Sequence, residues 1–257
     1  MAILKSLILV YIGFALILFI FQRYFYYHPS QIESYDVETL STLGVEVVSD
    51  KGMEWIYWPA AQKTNKTLVY FHGNAGMAFN RLSKASVWRD SNFNVILAEY
   101  PGYGTNGGKS SEQSFYNVGR VVIDKMLSDF PNTELYIYGE SVGSGTATQM
   151  ATEYDEKVLI IESGFSSLVD VVFSKMPFFP ASLLVRDKYD NLSKINNIGS
   201  RLIWLHGAQD KIVPMRFGQA LFDAYKGEKD FRIFDNAGHN DIYEMTDMNA
   251  VIRDLNL

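Results

Sequence analysis

Cysteine is absent from the 257 residues. That excludes a disulfide framework, thiolate metal sites, a cysteine nucleophile and lipoprotein-type anchoring. It leaves the compartment open, because a chain without thiols tolerates either redox poise. Histidine is scarce, at four. None falls in a His-Glu-x-x-His pair or another ligand cluster, so no catalytic metal is expected. Positive charge is in deficit: 23 Lys and Arg against 29 Asp and Glu give −6. A nucleic-acid binder wants a basic face, which argues against that class. Internal repeats and low-complexity linkers are missing too. At about 150 residues per domain, the length suits one large domain or two small ones.

Hydrophobicity is unevenly spread. Residues 1–21 hold 18 apolar residues and one charge, Lys5. The remaining 236 residues carry 22 basic and 29 acidic side chains, net −7, as an ordinary soluble domain does. As a helix, Ile3–Phe21 would span about 28 Å, close to the ~30 Å hydrocarbon core. Lys5 lies where it can snorkel, and Arg23 with Tyr24, Phe25, Tyr26 and Tyr27 suits the membrane–water boundary. A cleaved signal peptide would show a shorter apolar run and small residues at its end. A buried core helix is the third reading. The bulky residues after Phe21 favour an uncleaved anchor. Lys5 and Arg23 balance across the segment, so the charges assign no membrane face.

Downstream, short apolar runs alternate with helix-like stretches. Expected strands are Trp55–Trp58, Thr67–Phe71, Asn94–Ala98, Leu135–Tyr138, Val158–Ile161, Leu202–Leu205 and Phe231–Phe234. Expected helices lie near Phe79–Arg89, Ser111–Phe130, Val142–Tyr154, Phe217–Lys226 and Asp241–Leu255. The alternation predicts an α/β fold, a mostly parallel sheet with helices on both faces. Chemistry is then expected at the C-terminal ends of the strands.

One such end reads Gly139-Glu140-Ser141-Val142-Gly143 between a strand and a helix, the context a nucleophile elbow requires. Glycines flanking Ser141 let the chain pass through a tight turn, and the helix N-terminus favours developing negative charge. A Gly-rich turn with an idle serine is the bland alternative. A serine nucleophile needs a base, and the order Ser…Asp/Glu…His places it late. His239, in Ala237-Gly238-His239-Asn240-Asp241, fits. His28 precedes all the sheet strands, His72 is early, and His206 leaves little room for an acid between itself and Ser141. Asp210, just after the expected strand Leu202–Leu205, is the candidate acid, with Glu162 and Asp235 as rivals.

The elbow's expected partner is His72-Gly73-Asn74-Ala75-Gly76. The Asn74 backbone N–H, with that of Val142, would form an oxyanion hole; Ala75 is the less favoured donor. Gly102-Tyr103-Gly104-Thr105-Asn106-Gly107 spells a dinucleotide fingerprint, but Pro101 intervenes after the strand. No acid falls at a strand end about 20 residues on, so the context fails. Gly107-Gly108-Lys109-Ser110 evokes a P-loop, but Tyr103 stands where its first glycine belongs.

These segments, with Tyr100-Pro101-Gly102-Tyr103-Gly104 and Arg186-Asp187-Lys188-Tyr189-Asp190, resemble the α/β-hydrolase superfamily. More narrowly, they resemble a small membrane-anchored serine-hydrolase group related to serine aminopeptidase-like hydrolases and protein depalmitoylases. Pro101 departs from the basic residue expected there. The resemblance implies an α/β-hydrolase fold from about Val45 to the C-terminus, with catalytic Ser141, Asp210 and His239 and no cofactor. The expected organisation is an anchor at 1–22, an aromatic collar and entry segment at 23–44, and a hydrolase domain at 45–257 with a small cap near 165–200. In that cap, Met176–Val185 is apolar; it would wall an acyl pocket near the membrane or pack against the main sheet. The expected function is a membrane-anchored hydrolase of carboxylic esters or thioesters, acting on lipid or acylated protein. A serine peptidase or amidase, or an idle tethered binding protein, is the alternative.

Overall fold

A computed structural model describes all residues from Met1 to Leu257. The apolar N-terminus forms one unbroken helix, α1 (Ala2–Tyr26), which ends where Tyr27 turns extended. A short strand, β1 (His28–Pro29), and α2 (Val37–Thr42) follow. Asp36 caps α2 by accepting from the Thr39 N–H at 3.0 Å. The rest of the chain runs β2 (Glu46–Asp50), β3 (Met53–Trp58), β4 (Lys66–Phe71), β5 (Ala75–Gly76), α3 (Leu82–Asp90), β6 (Asn94–Ala98), α4 (Glu112–Asp129), β7 (Glu134–Glu140) and α5 (Gly143–Ala151). It continues with β8 (Val158–Glu162), α6 (Leu168–Lys175), α7 (Ala181–Leu184), β9 (Arg201–Gly207), α8 (Met215–Ala224), β10 (Lys229–Phe234), α9 (Ile242–Met245) and α10 (Met248–Asp254).

Eight strands form one sheet in the order β10-β9-β8-β7-β4-β6-β3-β2. From β10 to β6 the neighbours are parallel; β3 runs antiparallel to β6, and β2 antiparallel to β3. The central strands are buried on both faces, which is why they read as near-continuous apolar runs. Val69, Ile137, Ile161 and Trp204 pack on one face under residues of α4, α5 and α8. Tyr70, Tyr138, Ile160 and Ile203 pack on the other under α3, α9 and α10.

Three local features depart from expectation. Strand β2 is additional and forms a hairpin with the expected β3; the turn residues Lys51 and Gly52 have φ of 49° and 74°, the left-handed pair of a tight hairpin. The expected helix Asp241–Leu255 is two helices, because Asp247 restarts it by capping the Ala250 N–H at 3.2 Å. The dinucleotide-like loop has a scaffolding role. Gly104 N–H donates to Ser30 O (2.8 Å) and Gly104 O accepts from Ile32 (3.0 Å). The Asn106 side chain accepts from Glu54 N (2.8 Å) and donates to Glu99 O (3.0 Å). The loop thereby fastens the entry segment to the body.

Between β8 and β9 the chain leaves the sheet as α6 and α7. Here Phe179, Ala181 and Val185 pack with Ala15 of α1 in a small separate cluster. The β1 strand pairs in parallel with β5, His28 opposite Ala75 and Pro29 opposite Gly76, shortly after the end of β4.

Candidate active site

The β7–α5 turn holds Ser141 at φ 52°, a strained value for a residue with a side chain. Its N–H donates to Glu162 O at 2.8 Å, which fixes the turn against the end of β8. A Cβ on Gly143 would lie 2.1 Å from Phe71 O, so only glycine lets the start of α5 approach the end of β4. The serine side chain is thereby lifted to the C-terminal edge of the sheet, at the first turn of α5.

His239 follows β10 and precedes α9. The Ser141 hydroxyl donates to its Nε2 at 2.9 Å, and its Nδ1–H donates to Asp210 Oδ2 at 2.7 Å. This assignment follows from the carboxylate, which can only accept. A Cβ on Gly207 would lie 2.1 Å from Gly238 O, so glycine at the end of β9 also permits the loop carrying Asp210 to meet the loop carrying His239. The other oxygen of Asp210 accepts from the N–H groups of Ile212 and Val213, both at 2.8 Å. Burial alone would raise the Asp210 carboxyl. Hydrogen bonds from His206, His239 and the Val213 N–H outweigh it and hold the pKa well below the usual carboxylate range. Ser141, Asp210 and His239 are all buried.

The loop after β4 lies against the elbow. The backbone N–H groups of Asn74 and Val142 donate to no acceptor in the protein. The loop is held from behind. Asn74 O accepts from His28 N–H at 2.9 Å and from the Tyr103 hydroxyl at 2.7 Å, and Asn74 Nδ2 donates to Tyr26 O at 2.8 Å. His72 does not approach Ser141. Its Nδ1 lies 2.7 Å from Gly73 O and its Nε2 3.1 Å from Glu99 Oε1, both groups buried.

A buried ion cluster backs the elbow. Arg81 grips Glu140 with two bonds (2.8 and 3.1 Å), Tyr70 donates to the same carboxylate (2.7 Å), and Lys84 reaches Glu162 (2.7 Å). Tyr138 also donates to Glu162. Burial would raise Glu140, but Lys84 and Arg81 overcome it and hold it below its ordinary value. Burial and the neighbouring Glu140 charge raise Glu162. Glu162, weighed as an acid for His239, is therefore committed to Lys84 and Tyr138. Asp235, the other rival, offers only its backbone oxygen, to Gln209 (3.1 Å). Beside Glu140 lies a cleft of about 540 Å³, lined by Ala75, Arg81, Lys84, Asn240 and Tyr243 among others. Arg81, Lys84 and Tyr103 escaped sequence reasoning, as did the supporting part of His206. His206 Nε2 lies 3.3 Å from Asp210 Oδ2 and 2.9 Å from Val213 O. No motif marks Arg81 or Lys84, and only the long-range pairing of charge could have pointed to them; Tyr103 and His206 stand in segments singled out for other reasons, and their supporting contacts are not marked there.

A sequence profile of the alpha/beta hydrolase fold matches residues 66–161. The chain is 27% identical over 227 residues to an uncharacterized protein of Mycobacterium tuberculosis, covering 86% of this chain and 81% of that one. It is 28% identical over 181 residues to alpha/beta hydrolase domain-containing protein 17B of Xenopus laevis, covering 68% of this chain and 61% of the relative. An esterase of Pyrococcus furiosus superposes with a TM-score of 0.70 at 16% identity, over 89% of this chain and 96% of the other. At that identity the likeness speaks for the fold alone.

Proposed function

We propose that the chain is a membrane-tethered serine hydrolase of the α/β-hydrolase superfamily, cleaving ester or thioester bonds. The observation that carries the reading is the continuous hydrogen-bonded line from Ser141 through His239 to Asp210 at the elbow. Ser141 Oγ attacks the carbonyl carbon while His239 Nε2 takes its proton. The carbonyl oxygen becomes an oxyanion, held by the free N–H groups of Val142 and Asn74. His239 returns the proton to the departing alcohol or thiol, leaving an acyl-Ser141 ester. Water, deprotonated by His239, then releases the carboxylic acid and restores the hydroxyl. Asp210 keeps the imidazole in the reactive tautomer and stabilises its charged form. The tether is α1, of a length and composition suited to crossing a bilayer. Its proximity to lipid favours acyl lipids or acylated proteins as substrates.

Labelling of the full chain by a fluorophosphonate probe tests the chemistry, and Ser141→Ala is expected to abolish it. Turnover of esters and thioesters should exceed that of aminoacyl amides. Ser141→Ala and His239→Ala should each lower kcat by about four to six orders of magnitude. Folded wild-type protein that fails to label, or near-normal hydrolysis by either variant, would refute the assignment.

A further inference from the structure

The cap runs alongside α1 over half the length of that helix. Arg23 forks onto Asp187 (2.7 and 2.8 Å). Gln22 donates to Leu184 O (3.0 Å) and accepts from Arg186 N–H (2.8 Å). Ala15 packs against Phe179, Ala181 and Val185. The Tyr11 hydroxyl donates to Phe178 O (2.6 Å). Tyr11 lies ten residues before Phe21, about 15 Å along the axis. In a helix whose apolar stretch fills the hydrocarbon, that is close to the bilayer midplane.

At these same levels α1 leaves Ile12, Leu16, Ile17 and Ile20 about half exposed. Lifting the cap into water would lift them with it. Only Ala2–Val10 would remain beyond the cap, about 14 Å of helix and half a bilayer. The alternative is for the cap to enter the lipid with the helix, and its chemistry suits that. The ten residues between Lys175 and Arg186 carry no charge. Phe178 and Leu183 point away from the protein at 88% and 81% exposure. Of the eight N–H groups in Met176–Val185, those of Met176, Phe179, Ala181, Leu183, Leu184 and Val185 are bonded within the chain and those of Phe178 and Ser182 are not; Pro177 and Pro180 have none. Hydrocarbon favours a backbone so largely satisfied from within. The flanking charges are also managed: Lys175 donates to Lys211 O (2.6 Å), and Arg186 lies over the Phe19 ring.

Resting on the reading of α1 as a membrane span, we propose that Met176–Val185 is immersed in the acyl-chain layer of one leaflet, with Phe178 and Leu183 against phospholipid tails. The protein then holds the bilayer by a span and a wedge side by side. The wedge starts next to the chemistry. Lys175, at the end of α6, is bonded to the residue that follows Asp210. An acyl chain already in that leaflet is thereby brought beside the loop that supports His239.

The absence of native cysteine permits a direct test. Single thiols are introduced in the full chain by Phe178→Cys, Leu183→Cys, Ile12→Cys and, as an exposed control on the body, Asn132→Cys. Each is labelled with an environment-sensitive fluorophore and reconstituted in phosphatidylcholine vesicles. Nitroxide-bearing phosphatidylcholine should quench positions 178, 183 and 12 severalfold, and aqueous iodide should quench only position 132. If 178 and 183 respond to iodide as 132 does while 12 responds to lipid nitroxide, the wedge is overturned and the span stands. If 12 also responds to iodide, the span falls with it. Shielding of 178 and 183 from both quenchers would mean that protein, such as a second copy, covers them, and would equally overturn the proposal.

Discussion

Asp210 gives one oxygen to His239 and the other to the N–H groups of Ile212 and Val213. Asp210→Asn keeps the shape but offers an amide where the Nδ1–H needs an acceptor. It should lower kcat by about four orders of magnitude with little change in fold. The same carboxylate bears on acid stability. Its folded pKa lies below its unfolded value, so its contribution is complete above the usual carboxylate range and is lost as pH falls beneath it. Urea titrations should therefore show wild type losing stability below about pH 4 more steeply than Asp210→Asn. A wild type and variant with parallel acid limbs would contradict this. The juxtaposition of Ser141, Asp210 and His239 is legible in the sequence because each residue closes a strand and their order along the chain is that of the fold. The support from His206 is not legible, since nothing local to Leu205-His206-Gly207 marks which way its ring turns.

The β7–α5 elbow depends on elements far from it in sequence. Lys84 and Glu162 are 78 positions apart, and Arg81 and Glu140 are 59 apart. Buried charge pairs of this kind are held by geometry, and removing one partner strands the other. Arg81→Met should lower the denaturation midpoint, but by less than the ~3–5 kcal/mol of a fully stranded buried charge, because Lys84 still lies 3.7 Å from Glu140. Glu140→Gln combined with Arg81→Met should recover much of that loss. The double variant would be no better than the single one if Arg81 served only to fill space. Such pairing also explains the limits of legibility at this scale. The seven expected strands are found; the central ones are apolar runs because both their faces are buried, while β10, half-buried at the sheet edge, is marked by its aromatic and β-branched residues between turns. The hairpin partner Glu46–Asp50 has no buried residue at the sheet edge, so its apolar signature is weak. α6 and α7 are short, and α6 divides its apolar residues between the main core (Leu168, Val171) and the cluster with α1 (Val169, Val172), so no single sheet-facing period announces them.

Across the whole molecule, the Arg23–Asp187 fork fixes how the helix meets the body. Arg23→Ala leaves Asp187 buried with its Glu112 N–H contact alone and should loosen that junction. Hydrolysis of a water-soluble ester should stay within several-fold of wild type. Hydrolysis of an acyl lipid held in vesicles should fall more, and the exchange Arg23→Asp with Asp187→Arg should restore part of it. Equal losses on both substrates would show that the fork serves stability alone. The pairing of β1 with β5 reaches further. It ties the segment that follows α1 to the loop that lies against Ser141, two stretches more than forty residues apart in sequence. If α1 is the proposed membrane span, the loop after β4 is complete only when the body is docked beside the tether, so release of the body from the helix would also unfasten the edge that holds Ser141.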